Sequence, residues 1–110
     1  MLFRSLFSLL AFLLFTYSSA EQYVLNYTAS PITRDQIMQR AQVWVDQKVP
    51  YSQSATTDGY RQDCSGYVSY CWASSTSGGG HWTGNMQEIC TKISKADIKK
   101  GDAKIGRAHV

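Results

Sequence analysis

Gly59-Tyr60-Arg61-Gln62-Asp63-Cys64-Ser65-Gly66-Tyr67-Val68-Ser69-Tyr70-Cys71-Trp72 is the stretch on which the fold reading turns. Asp63 carries the side chain of a helix N-cap, a feature worth about 1 kcal/mol. Cys64, Tyr67, Val68, Cys71 and Trp72 then repeat on one face at helical spacing. The stretch therefore predicts a helix from Asp63 to about Ala73 with a cysteine in its first turn. Unpaired backbone N–H groups at a helix start carry positive partial charge. They favour a thiolate, which is how nucleophilic cysteines acquire depressed pKa values. The same groups, the N–H of Cys64 included, can stabilise an oxyanion during acyl transfer. Gly66 is expected to leave room for a substrate backbone. The opposing reading is a structural cysteine opening an ordinary amphipathic helix, and on these residues alone both readings stand.

Upstream, residues 51–62 are polar, with Gly59 as a turn point, and read as a loop. Before them, Thr33 and Gln36 have capping-box spacing, and Ile32 and Ile37 sit where a hydrophobic staple would. Ile37, Ala41, Trp44 and Val45 line one face, and Pro50 is expected to stop the helix. Trp44 reads as core. Residues 21–30 show no clear periodicity. Downstream, 74–80 is a flexible Ser, Thr and Gly loop, and a short helix is expected near Met86 to Cys90.

The first twenty residues read as a secretory signal peptide. Arg4 supplies the positive start, Leu6 to Phe15 form a run broken only by Ser8, and Ser18-Ser19-Ala20 offers small residues for cleavage. That run is about half of the ~20 apolar residues a membrane-spanning helix needs. The expected mature chain starts at Glu21 and is extracellular, with no membrane association after cleavage. Of the 110 residues, 11 are Lys or Arg and 8 are acidic. Basic residues do not cluster on one face, so nucleic acid is not an expected partner. Three Trp, seven Tyr and four Phe are too many for a disordered chain.

Export makes the three cysteines candidates for pairing. Cys64 and Cys71 lie about 10 Å apart along one helix, beyond the roughly 7 Å limit of a disulfide. Cys71 with Cys90 is the candidate bridge and Cys64 is left free; the alternative keeps all three reduced. Asn26-Tyr27-Thr28 is a candidate N-glycosylation site in an exposed mature N-terminus.

Asp63-Cys64-Ser65-Gly66, followed by Tyr67-Val68 and the aromatic Trp72, resembles the nucleophile motif of the NlpC-type cell-wall cysteine peptidases. The helix predicted over residues 33–48 is similar to that family's leading helix. Val49-Pro50-Tyr51-Ser52 resembles the segment whose tyrosine lies beside the nucleophile. Ile98-Lys99-Lys100-Gly101-Asp102-Ala103 resembles the turn that opens the sheet carrying the catalytic histidine. The resemblance implies a reduced papain-like α+β domain over residues 32–110, preceded by a short mature segment, 21–31. It implies hydrolysis of amide bonds in peptidoglycan stem peptides without metal or organic cofactor. Cys64 would be the nucleophile, supported by Tyr51, Asp63, Ser65 and Gly66.

Two histidines are present. His81, after three glycines, reads as an exposed loop residue. His109 has about the offset from Asp102 that the resemblance assigns to the base. The third polar residue and closing strands that the resemblance implies would follow Val110, so the peptidase domain is expected to be incomplete and the fragment inactive as it stands. Ile105-Gly106-Arg107-Ala108-His109-Val110 is also one reading frame of ATCGGAAGAGCACACGTC, a sequencing-library adapter. The tail is thus either read-through from a truncated transcript or a genuine histidine-bearing strand. Two further function classes remain: a non-catalytic wall- or glycan-binding module on the same scaffold, with Trp72 and Trp82 as stacking surfaces, and a small disulfide-stabilised structural protein.

Overall fold

A computed structural model describes Leu13–Leu14 and residues 23–105. The signal-peptide reading lies outside the described residues except at Leu13–Leu14, and His109 lies outside them altogether. The described residues form a small α+β domain with two helices, a four-stranded sheet and a two-stranded hairpin. The strands are β1 (Leu13–Leu14), β2 (Tyr23–Tyr27), β3 (Ser52–Thr57), β4 (Tyr60–Gln62), β5 (Cys90–Ile93) and β6 (Ala103–Ile105). The helices are α1 (Arg34–Asp46) and α2 (Cys64–Trp72). Short 3-10 turns cover Ser77–Gly79, Met86–Ile89 and Lys95–Asp97.

Helix α1 forms where its caps predict. The Thr33 hydroxyl accepts from the Gln36 N–H at 3.0 Å, and the Gln36 side chain accepts from the Thr33 N–H at 2.9 Å. These bonds satisfy two of the donors that a helix start leaves open. Ile37, Ala41 and Trp44 are buried as expected. The helix ends at Asp46, before Pro50 can act, through Lys48 at φ 55°.

Helix α2 matches its predicted limits, with Asp63 as N-cap and Ala73 in the left-handed region at the other end. It is buried all round rather than on one face, since every residue from Ser65 to Trp72 is buried. Trp44 stacks on Tyr70 with ring centroids 4.7 Å apart and lies 5.6 Å from Tyr67, joining the two helices through aromatic faces. Trp72 stacks on Tyr27 of β2 at 5.1 Å.

The large sheet has the order β1-β6-β2-β5, antiparallel except where β1 meets β6. Strand β2 is a correction to the expected irregular segment. It lies inside the sheet, pairing Val24 with Ile93 on one side and with Lys104 on the other. Val24 and Leu25 are each 1% exposed, so adjacent residues are buried on opposite faces. Asn26 is consequently half-buried in a paired strand, where its carbonyl oxygen accepts from Arg34 at 3.0 Å, and does not sit in an exposed terminus.

The expected loop over 51–62 is also corrected: β3 and β4 form a hairpin. Asp58 and Gly59, at φ 55° and 86°, take the two positive-φ positions that tight hairpin turns of this class demand.

Candidate active site

The start of α2 is organised by Asp63 and Arg61. One Asp63 carboxylate oxygen accepts from the Gly66 N–H at 2.8 Å, closing the first turn. The other accepts from Arg61 Nε at 3.1 Å. Ser65 Oγ lies between them, donating to Asp63 at 3.3 Å and accepting from Arg61 Nη2 at 3.1 Å. Ser65 is therefore buried inside this network. Gly66 corrects its expected role. A Cβ there would lie 2.0 Å from the Arg61 carbonyl oxygen, so the space is taken by the chain's own backbone and not by a substrate.

Arg61 reaches further, donating to the carbonyls of Gly78, Gly80 and His81 at 2.7, 2.9 and 2.8 Å. One guanidinium thereby ties the hairpin, the helix start and the loop after α2 into a single unit. Arginine's planar fork suits this, because its donors are fixed relative to one another. No local sequence pattern marks Arg61, since its carbonyl partners lie 17 to 20 residues away.

Cys64 sits half-buried at this start. Its thiol is pushed up to about 11, first by burial and next by the neighbouring Asp63 carboxylate. Hydrogen bonding from the Ser65 and Cys64 backbone N–H groups and the charge of Arg61 pull the other way without prevailing. This corrects the expected depressed pKa: the helix start does favour a thiolate, but desolvation and Asp63 outweigh it.

Tyr51 is exposed, and its hydroxyl accepts from Gln53 at 2.9 Å. Its neighbour Ser52 pairs with Gln62, two residues before the cysteine, and Gln62 Nε2 donates to the Pro50 carbonyl at 2.8 Å. The Tyr51 segment thus runs alongside the approach to α2. His81 is half-buried, with Nδ1 enclosed and without a partner among the described residues, and is not the exposed loop residue expected.

The Gly101-Asp102 turn lies at the opposite end of α2, where Trp72 Nε1 donates to the Gly101 carbonyl at 2.8 Å. Asp102, 1% exposed, accepts from Arg34 at 2.7 Å and from the Lys99 N–H at 2.8 Å. Arg34 also donates to Lys100 and Asn26, so it fastens α1, β2 and this turn together. The turn opens β6 at Ala103 as expected, and Ile105 is the last described residue.

The three cysteines are free thiols. The expected Cys71–Cys90 bridge is not formed: Cys71 is enclosed in the α2 core, while Cys90 starts β5 opposite Tyr27. Burial raises both thiols, that of Cys90 to about 12. Trp72 is fully buried, which removes it as a stacking surface, and Trp82 is 57% exposed. Among the described residues no three His, Cys, Asp or Glu side chains group to hold a metal, and no helix is long and apolar enough to cross a membrane.

Comparison with models of known families, with curated proteins and with solved structures gave no match.

Proposed function

We propose that the protein is a secreted thiol hydrolase of reduced papain-like architecture, cleaving amide bonds in peptidoglycan stem peptides through Cys64. The observation that carries this reading is the thiol at the start of a buried helix, within reach of the backbone N–H groups of Ser65 and Cys64. Those donors suit the oxygen of a tetrahedral intermediate.

In this scheme His109 is the candidate base. It takes the thiol proton, and Sγ attacks the carbonyl carbon. The intermediate then expels the amine as the C–N bond breaks, the imidazolium supplying the amine's proton. Water, deprotonated by the same imidazole, hydrolyses the thioester and returns the thiol and a carboxylic acid. A thiol pushed up to about 11 needs such an imidazole, because an ion pair with it offsets the burial of the charge. Asp63 and Arg61 are positioning residues that hold the first turn.

The test uses the full-length gene product and purified peptidoglycan. Cys64→Ser is expected to abolish peptide release while leaving the melting temperature nearly unchanged, since the hydroxyl keeps the volume and hydrogen bonding but resists ionisation. Wild-type activity in that variant would overturn the assignment.

The raised Cys64 thiol favours one second reading, a non-catalytic module on the same scaffold. That reading expects no release of peptides by the wild-type protein at any pH.

A further inference from the structure

Trp82 is the most exposed of the large hydrophobic side chains among the described residues, at 57% against 44% for Tyr51 and 38% for Val43. Exposure alone would be unremarked, because single apolar residues are common on surfaces. The indole, however, is held. Three atoms of its six-membered ring lie against Gly84, where a Cβ would fall 2.1 to 2.6 Å from them. The Trp82 N–H donates to Asn85 Oδ1 at 2.8 Å, and its carbonyl accepts from the Asn85 and Met86 N–H groups, each at 3.0 Å. Met86 is fully buried and anchors the turn. A fixed, exposed aromatic face has little conformational freedom left to lose on binding.

Next to this turn lies a cavity of about 230 Å³ lined by Ser75, Ser77, Gly80, His81 and Asn85. That is below the roughly 300 Å³ at which drug-sized ligand pockets begin, so it suits one small ring or substituent. Its side chains are hydroxyls, an amide and an imidazole, with no carboxylate, ammonium or guanidinium among the lining residues. His81 is one of these lining residues, and its Nδ1 is enclosed without a hydrogen-bond partner among the described residues. The His81 backbone is held, because Arg61 and Ser69 Oγ both donate to its carbonyl, at 2.8 and 3.1 Å.

A fixed aromatic face beside an uncharged, hydroxyl-rich cavity matches the two-sided chemistry of a pyranose, which has apolar C–H faces and a hydroxyl rim. We propose that Trp82, His81, Asn85, Ser75 and Ser77 form a binding site for a neutral saccharide, one ring stacking on Trp82 and a neighbouring hydroxyl or acetamido group entering the cavity. The site uses no atom of Cys64, so it stands or falls separately from the hydrolase reading.

The experiment titrates the full chain with the tetramer of β-1,4-linked N-acetylglucosamine, following tryptophan fluorescence and calorimetry. This ligand carries no stem peptide, so the outcome does not depend on hydrolysis. Saturable binding is expected, with an indole signal arising from Trp82, since Trp44 and Trp72 are buried. Trp82→Ala is expected to weaken binding at least tenfold. Gly84→Ala keeps the indole but displaces it, and is expected to weaken binding several-fold with an unchanged melting temperature. His81→Phe, which removes the enclosed nitrogen, is expected to do likewise. Absence of binding at millimolar saccharide, equal affinity in Trp82→Ala, or preference for a neutral tetrapeptide over the saccharide would each overturn the proposal.

Discussion

The two ends of α2 are built on different principles. At its start, Asp63, Ser65 and Gly66 bond to one another and to Arg61 within a few residues. At its end, Trp72 reaches Tyr27 through ring stacking and Gly101 through its indole N–H, contacts spanning 45 and 29 residues. The start is polar and presents a thiol; the end is aromatic and joins the helix to the sheet. A polar network and an aromatic contact are thereby separated along one nine-residue helix. Its two cysteines show the same division. Cys64 is half-buried among hydrogen-bond donors, whereas Cys71, two turns on, is fully enclosed.

That separation can be broken most forcefully at Trp72. Trp72→Ala removes a fully buried indole, its stacking on Tyr27 and its bond to Gly101. Loss of about 3–5 kcal/mol is expected by chemical denaturation. If the loss is under about 1 kcal/mol, the end of α2 does not carry the fold.

Gly66→Ala attacks the other end through the backbone. Because the added methyl meets the Arg61 carbonyl at 2.0 Å, the hairpin must shift. Such overpacking is expected to cost about 3 kcal/mol and to raise Cys64 alkylation rates by loosening its surroundings. Unchanged stability would show that the hairpin yields freely and that Arg61 does not fix the site.

Asp63→Ala is a milder probe, because it removes a cap and a carboxylate together. A loss of about 1 kcal/mol is expected. The Cys64 pKa, read from the pH dependence of alkylation, is expected to fall, since Asp63 is the largest influence raising it after burial. A rise instead would mean that order in the first turn matters more than the carboxylate. Cys71→Ser belongs to the opposite class, expected to lower stability far more than turnover.

The capped starts of α1 and α2 were legible because their determinants, Thr33 with Gln36 and Asp63 with Gly66, are three residues apart. Strand β2 was not. Burial of both Val24 and Leu25 erases the alternation by which a half-exposed strand is recognised, and both its partners lie beyond residue 89. Strand β3 was hidden for the opposite reason: five of its six residues are polar and most are exposed, leaving only Asp58-Gly59 as a hairpin signal. The helix position of Cys64 was readable, but its burial is set by long-range packing, and burial reverses the expected direction of its pKa. Cysteine spacing alone does not decide between a Cys71–Cys90 bridge and three reduced thiols, because core packing and sheet register place each cysteine.

A separate effect is expected on alkaline stability. Cys64 at about 11 and Cys90 at about 12 lie above the ordinary thiol value of 9.0, and Cys71 is raised as well. A folded pKa above the unfolded one means that the fold prefers the protonated thiol. Stability should therefore be fully present below about pH 9 and decline as pH rises toward 11–12. Melting temperatures across pH 8–11 check this, and a melting temperature that climbs through that range would refute it.

The central claim is that Cys64 forms a covalent bond with the acyl group of its substrate. Full-length gene product incubated with soluble peptidoglycan fragments, quenched in acid and digested for peptide mass mapping, gives the most direct reading. The account expects a thioester on the peptide containing Cys64, none on those containing Cys71 or Cys90, and none in Cys64→Ser. An adduct on Cys71 or Cys90, or peptide release that continues in Cys64→Ser with no adduct on any cysteine, would contradict it.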